Sequence, residues 1–317
     1  MNGGMKRNIV IGFLIIGLVC GGVGYIKRIT LRRIVSALIP DMLKARQEDI
    51  TFLSGNLHLQ GTLYSPGRSL RKRPAVILCH GGTPLGRRMA LYTVMARKLA
   101  ARGYVVFTFD FRGFGDSEDP HRFETFSDLD FTHDISAALD YVSELRDVDT
   151  SRLFLIGHSF GAGVVLPASI RDHRIKKTIS ISPPRNTAER QYGPHAVDPS
   201  YPQRRLSKDM KIEPPIPQAV FYPHLKEYVA EDILRYPEHL PVCFIDGAEE
   251  ELKERNFLRK VYEQMTDPKA YTTIQGADHY FGTRRGQDGS AGSAPYNDVI
   301  VHALIDVIDR WFRGEDL

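Results

Sequence analysis

Cysteine is scarce in this sequence, with three among 317 residues. Cys20 lies in an apolar run near the N-terminus, and Cys79 and Cys243 lie in apolar runs typical of strands. Cysteines in such runs are usually small core residues. No His/Cys set has the spacing of a zinc site, so the sequence favours neither a disulfide framework nor a metal centre.

Other functional signatures are also missing. There are no internal repeats, no Gly-Lys-Ser/Thr phosphate loop follows residues 81–86, and no dinucleotide fingerprint precedes an acidic ribose partner. The net charge is only +4, and residues 1–46 contain eight basic residues and one acidic residue. The basic excess is therefore N-terminal, and it does not indicate nucleic-acid binding. We expect no cofactor and no metal.

An uncharged run occupies residues 9–26, and its 18 residues are at the short end of what spans a bilayer. Lys6 and Arg7 precede it, and Lys27 and Arg28 follow it. We interpret residues 1–46 as a single-pass membrane anchor with a basic linker. A cleaved signal peptide and a buried helix are the alternatives. More positive charge follows the run than precedes it, which favours a cytosolic C-terminal domain.

From residue 49 the hydrophobic pattern becomes regular. Residues 49–53 and 57–64 alternate as an antiparallel hairpin would, and later strand-like and helical segments alternate along the chain. This pattern predicts an α/β domain over residues 47–317, with a mostly parallel sheet and helices on both faces. Strands are expected at 74–79, 105–109, 153–156, 177–181, 242–246 and 270–274, and helices at 89–102, from Asp130 to 145, at 254–265 and at 296–312.

One segment breaks the alternation. Residues 183–240 are rich in Pro, Tyr, Arg and His, and show little periodicity until a helical pattern near 225–235. A segment of this length is too long for a simple loop in a compact domain. We therefore expect an inserted cap over the active site.

The most informative stretch is residues 152–163, which contains Gly157-His158-Ser159-Phe160-Gly161 after a short apolar strand. A serine on a sharp strand-to-helix turn needs small flanking residues, and the two glycines supply them. Gly163 is expected to let the new helix lie close against the sheet. Three fixed positions arise by chance in roughly one chain in ten of this length, so other residues must support the motif.

Acyl transfer by a serine needs a base and an acid, in the chain order Ser, acid, His. His279 follows the last predicted strand and is the candidate base, whereas His158 is expected to pack or to orient the turn. The candidate acid is Glu250, in the run Glu249-Glu250-Glu251, with Asp246 at the strand tip as the other contender. The N–H groups of Gly82 and Phe160 are the candidate oxyanion donors.

Together these motifs resemble an α/β-hydrolase, specifically the esterase and serine-aminopeptidase-like branch that includes cinnamoyl esterases. The likeness runs from about residue 49 to the C-terminus, and includes His80-Gly81-Gly82, the loop from Asp110 to Ser117, and Gly276-Ala277-Asp278-His279. The resemblance implies that the Asp110–Ser117 loop is a structural turn beside the site. The chain departs from the family in having a glutamate where an aspartate is usual.

The leading functional hypothesis is a serine hydrolase that cleaves a small-molecule carboxylic ester through an acyl-enzyme. A serine peptidase or aminopeptidase would use the same triad, as would a thioesterase or an acyltransferase. A non-catalytic binding protein with this fold is the alternative from another class. The complete set of Ser159, His279 and Glu250 argues against that alternative.

Overall fold

The computed structural model describes residues 46–67, 71–120, 129–185, 228–236, 240–284, 286–289 and 295–317. All of them belong to one compact unit, Ala45–Leu317. The predicted membrane anchor lies outside the described residues, as does most of the predicted cap. In the part of the chain that is described, no helix has the length and apolar character needed to cross a membrane.

An eight-stranded sheet forms the centre of the domain, in the order β1-β2-β4-β3-β5-β6-β7-β8. The first two strands form the predicted antiparallel hairpin, and β2 is also antiparallel to β4. All later pairs are parallel, so the predicted mostly parallel sheet is confirmed. The strands are β1 (Arg46–Ser54), β2 (Leu57–Ser65), β3 (Arg73–Cys79), β4 (Val105–Phe109), β5 (Val148–His158), β6 (Ile175–Ile181), β7 (Val242–Gly247) and β8 (Lys269–Ile274).

Helices cover both faces of this sheet, as the alternating pattern predicts. They are α1 (Ala90–Ala101), α2 (Phe131–Ser143), α3 (Phe160–Arg171), α4 (Leu252–Gln264) and α5 (Asp298–Arg313). Residues of α2 and α3 share one buried cluster with the sheet, and residues of α1 and α5 share another on the opposite face. A third cluster joins α4 to β7 and to a 3₁₀ helix, Ala230–Arg235.

Helix ends follow local chemistry. The Asp130 carboxylate accepts the Thr132 N–H at the start of α2, and the Asn297 side chain accepts two N–H groups at the start of α5. These side chains satisfy backbone donors that have no acceptor within the helix. The last helix ends at Gly314, which has a left-handed φ of 76°.

The end of the predicted cap segment packs differently from the expectation. Tyr228, Ala230 and Ile233 are all at most 2% exposed, and the last two join the core cluster of α4 and β7. The described residues 228–236 near the end of this segment therefore pack into the core, and the inserted cap stays a prediction. Within the described residues, the predicted helix near 225–235 is a 3₁₀ helix, Ala230–Arg235.

Strand order determines where a site can form. The connection after β3 leads to β4 on one side, while the connection after β5 leads to β6 on the other. A crevice opens at the carboxyl ends of strands where the chain direction diverges in this way. Because Cys79 is paired with Gly157, the ends of β3 and β5 are level, and His80 lies beside His158.

Candidate active site

Ser159 occupies a strained turn between β5 and α3. Its φ is +54° and its ψ is −119°, a region that non-glycine residues rarely adopt. A Cβ atom at Gly157 would lie 2.3 Å from the carbonyl oxygen of Gly161, and one at Gly161 would lie 2.5 Å from that of His80. Only glycine fits at either position, and the turn predicted from the motif is present.

Backbone hydrogen bonds hold this turn in place. The Ser159 N–H donates to the carbonyl of Ile181 on β6 at 2.9 Å, and the Ser159 carbonyl accepts the Ala162 N–H at 3.0 Å. Phe160 is the first residue of α3, so its N–H has no acceptor within the helix. This N–H lies at the positive end of the helix dipole, where a developing negative charge is stabilised.

Gly163 does not face the sheet, contrary to the sequence prediction. A Cβ atom there would lie 2.1 Å from the carbonyl oxygen of Tyr228. The close approach is therefore between α3 and the backbone of the chain that leads into the 3₁₀ helix. That partner is distant in the chain, which is why the local sequence pattern did not identify it.

The loop after β3 packs directly against the serine. A Cβ atom at Gly81 would lie 2.9 Å from the Ser159 Cβ. The Gly81 N–H donates to the Tyr92 hydroxyl at 2.6 Å, so it is already used. In the part of the chain that the structure describes, no hydrogen bond uses the Gly82 N–H. Of the two glycines, Gly82 is therefore the one with a donor available to a ligand.

His80 orients the peptide group that carries the Gly82 N–H. Its Nδ1 lies 2.7 Å from the Gly81 carbonyl oxygen, and its Nε2 lies 3.0 Å from the backbone nitrogen of Phe111. A carbonyl only accepts and an N–H only donates, so Nδ1 carries the hydrogen and Nε2 accepts. Burial lowers the pKa of His80, which keeps the ring neutral in this tautomer.

His279 and Glu250 lie next to each other, on the loops that follow β8 and β7. The distance from His279 Nδ1 to Glu250 Oε2 is 3.6 Å, a little longer than a hydrogen bond. The Glu249 N–H donates to the Ala277 carbonyl at 2.9 Å and ties the two loops together.

Ser182 is a site residue that the sequence analysis missed. It follows β6, has a φ of +48°, and its hydroxyl donates a short hydrogen bond to Glu250 Oε1. The Gly247 N–H donates to the same oxygen at 3.2 Å. Burial alone would raise the pKa of Glu250, but His279 and these two hydrogen bonds outweigh it and lower the pKa. The carboxylate is therefore ionised and fixed.

The other candidate carboxylates have different partners. The Tyr271 hydroxyl donates a short hydrogen bond to Asp246, and Arg255 Nε lies 3.5 Å from it. Glu251 pairs with Lys253 at 2.8 Å on the surface. Of the alternatives left open by the sequence, the structure brings Glu250 to His279.

His158 is buried and lies between two site loops. Its Nδ1 is 2.9 Å from the Tyr92 hydroxyl, its Nε2 is 2.8 Å from the His279 carbonyl oxygen, and its ring centroid is 4.9 Å from that of His279. The sequence predicted that this residue packs or orients the turn. Its contacts join the turn to the loop that carries His279.

Asp110, on the loop after β4, forms a buried ion pair with Arg87 from the segment after β3. Asp110 is fully buried and accepts hydrogen bonds from the Arg87 guanidinium, the Arg87 N–H and the Asp116 N–H. This position agrees with the structural role that the resemblance implies. Among the described residues, no group of three or more His, Cys, Asp or Glu side chains is arranged to hold a metal ion.

A family model described as serine aminopeptidase, S33, matches residues 71–219. The match covers just under half of the chain; it includes Gly82 and Ser159 but ends before Glu250 and His279. The quorum-quenching protein AidA of Acinetobacter baumannii is 36% identical over 43% of this chain and 43% of its own length. The alignments with the first curated relatives thus cover less than half of each relative.

Solved structures of low sequence identity share the fold. Est1E from Butyrivibrio proteoclasticus, solved with ferulic acid bound, has a TM-score of 0.63 and 18% identity over 84% of this chain and 98% of its own. The α/β hydrolase GrgF from Penicillium has a TM-score of 0.60 and 17% identity, over 85% and 99% of the two chains. These likenesses concern the fold alone.

Proposed function

The chain belongs to the α/β-hydrolase superfamily, and from this premise we propose that it is a serine hydrolase that cleaves carboxylic esters. The observation that carries the proposal is the strained φ of +54° at Ser159. The turn is so tight that Gly157 and Gly161, on either side of it, have no room for a side chain. Backbone strain of this kind costs free energy and is found mainly at functional sites. The pairing of His279 with Glu250 at 3.6 Å supports it.

In the proposed acylation step, Ser159 Oγ attacks the acyl carbon of the ester while His279 takes the hydroxyl proton. A C–O bond forms, and the carbonyl electron pair moves to the oxygen. The Gly82 and Phe160 N–H groups donate to this oxyanion. The tetrahedral intermediate collapses, the ester C–O bond breaks, and His279 returns the proton to the leaving alcohol.

Deacylation repeats these steps with water. His279 removes a proton from a water molecule, which attacks the acyl-enzyme, and the collapse releases a carboxylic acid and restores the Ser159 hydroxyl. Glu250 holds the His279 ring with Nε2 as the acceptor and stabilises the imidazolium that forms. Its low pKa keeps it charged throughout.

Replacement of Ser159 by alanine is the decisive test. We expect Ser159→Ala to fold normally and to lose about 10⁶-fold in kcat on p-nitrophenyl esters, together with labelling by a fluorophosphonate probe. Ser169→Ala is the matched control, because this buried serine of the same helix donates to the Leu166 carbonyl, and it should retain both. Unchanged ester hydrolysis in Ser159→Ala would end the proposal.

A serine aminopeptidase is the second candidate, since the matching family model carries that description. The same triad would attack an amide, and only the leaving group differs. Comparing kcat/KM for an acyl ester, an aminoacyl p-nitroanilide and an acyl thioester on the purified chain separates the candidates. Inclusion of a ferulate ester is motivated by the ligand of Est1E.

The likeness to AidA raises a biological hypothesis. We propose testing whether this chain, like that relative by its description, quenches quorum sensing, with a reporter strain and Ser159→Ala as the inactive control.

Membrane anchoring through residues 9–26 stays a sequence prediction. Fractionation of cells that express the full chain, compared with a chain starting at residue 46, tests it.

A further inference from the structure

A buried chain of hydrogen bonds connects the loop after β3 to the loop after β8. It runs from the Gly81 N–H to the Tyr92 hydroxyl at 2.6 Å, then to His158 Nδ1 at 2.9 Å. From the other side of the imidazole, Nε2 contacts the His279 carbonyl oxygen at 2.8 Å. Tyr92 and His158 are each only 1% exposed, so water does not compete for these groups. The proposed chemistry uses neither side chain.

The direction of each hydrogen bond follows from the groups at the two ends. The His279 carbonyl can only accept, so His158 Nε2 carries the hydrogen. In a neutral imidazole Nδ1 then accepts, which means that the Tyr92 hydroxyl donates to it. The tyrosine oxygen in turn accepts the Gly81 N–H. Every donor in this chain has one acceptor, and reversing any link would leave a buried polar group unpaired.

A protonated His158 would break this arrangement, because Nδ1 could no longer accept. Burial lowers the pKa of His158 to about 3, and proximity to His279 adds to the effect. The bond to the His279 carbonyl and the charge of Glu250 act in the opposite direction but are weaker. The ring is therefore neutral at physiological pH, as the hydrogen-bond directions require.

We propose that Tyr92 and His158 are positioning residues, which couple the loop of the oxyanion donor Gly82 to the loop of the base His279. This inference rests on the proposed function. Gly81 precedes Gly82, and the carbonyl held by His158 belongs to His279 itself, so the pair fixes both loops relative to Ser159. Loss of the link should let the donor and the base drift by fractions of an ångström, which lowers kcat more than it changes KM.

Tyr92→Phe removes the central hydroxyl and keeps the ring. We expect kcat on a p-nitrophenyl ester to fall about tenfold, the size of one lost hydrogen bond, with KM changed less than twofold. Tyr104→Phe is the matched control. Tyr104 lies just before β4, at the opposite end of the sheet from the site, and its buried hydroxyl donates to Asp309 at 2.8 Å. It should lose comparable thermal stability but keep kcat within twofold. An unchanged kcat in Tyr92→Phe, or an equal loss in both variants, would overturn the proposal.

Two substitutions of His158 test the direction of the link. The side-chain amide of His158→Gln can occupy the position of Nε2 and donate from there. The shorter amide of His158→Asn occupies only the position of Nδ1. We expect the glutamine variant to keep several times more kcat than the asparagine variant, because it can still bind the His279 carbonyl. Equal kcat in the two variants would contradict a link that acts through Nε2.

A spectroscopic test does not depend on activity. Histidine ¹⁵N NMR of the full chain should show His158 with hydrogen on Nε2 from pH 8 to pH 5, and His80 in the opposite tautomer as an internal reference. Hydrogen on Nδ1 of His158, or titration near pH 6.5, would refute the link. Retained ester hydrolysis in Ser159→Ala would instead refute the proposed function, so the two failures are distinguishable.

Discussion

Two carboxylates in this domain, one buried and one partly buried, differ in how their oxygens are used. Asp134 on α2 is fully buried, and it accepts from the Ser54 hydroxyl at 2.7 Å and from the Arg112 backbone N–H and guanidinium at 2.7–3.2 Å. Its charge is matched by a permanent cation. Glu250 instead has one oxygen held by Ser182 and Gly247, while the other faces His279.

The difference separates a structural ion pair from the carboxylate that the proposed mechanism uses. Arginine keeps its proton in proteins, so Arg112 is a permanent counter-charge for Asp134. The partner of Glu250 is a histidine whose side chain is 38% exposed, and an imidazole is the side chain most often used as a general base. We infer that a carboxylate with one fixed oxygen and one oxygen facing a titratable ring marks the reactive end of the sheet.

Among the substitutions that test this comparison of carboxylates, Glu250→Gln should have the largest effect. Under the proposed mechanism the imidazolium loses its counter-charge and the ring its fixed tautomer, so kcat should fall about 10⁴-fold while the unfolding midpoint changes little. Steady-state kinetics and urea unfolding measure the two quantities. Glu251→Gln, a neighbouring surface position, is the control and should retain wild-type kcat. Loss of kcat in the control rather than in Glu250→Gln would reassign the acid.

Asp134→Asn should show the opposite pattern. The Arg112 guanidinium would remain buried without its counter-charge, which costs about 3–5 kcal/mol of stability. The kcat per folded molecule should change less than threefold. Asp140→Asn on the same helix removes a surface partner of Arg174 and should cost under about 1 kcal/mol. Equal destabilisation by the two variants, measured by urea unfolding, would remove the distinction.

Ser182→Ala should have the smallest effect of these substitutions, and it tests whether the fixed oxygen of Glu250 matters for activity. We expect about a tenfold loss of kcat, the size of one hydrogen bond to a charged group. A bond to the ionised form lowers the pKa of Glu250, so its loss raises that pKa, and kcat should fall further at pH 5 than at pH 8. Ser180→Ala, on the strand that precedes Ser182, is the control, since that hydroxyl donates to the Ala162 carbonyl. A pH-independent loss would contradict this role.

Much of the fold follows from local pattern. The alternation of strands and helices was predictable because apolar periodicity reports which face of an element is buried. The turn at Ser159 was predictable because glycine spacing is a local steric requirement. Strand β5 begins at Val148, earlier than predicted. The residues before its apolar run are polar and mostly exposed, so they do not have the hydrophobic pattern of a strand.

Partners that are distant in sequence were not predictable. Ser182 is 68 residues from Glu250, and Tyr92 is 66 residues from His158. No sequence motif relates Ser182 to Glu250 or Tyr92 to His158, so the sequence does not predict either contact. The core position of Tyr228 and Ile233 was also missed, because the sequence places both residues in the predicted cap.

The sequence by itself determined the class of fold, the strained turn at Ser159 and the order in which serine, acid and histidine occur. These depend on residue size, backbone freedom and hydrophobic period within short windows. Only the tertiary structure decided that Glu250, rather than Asp246 or Glu251, faces His279, and that Tyr92 and His158 join two site loops. The physical reason is that strand register and loop packing set which polar groups meet, and both depend on the whole sheet.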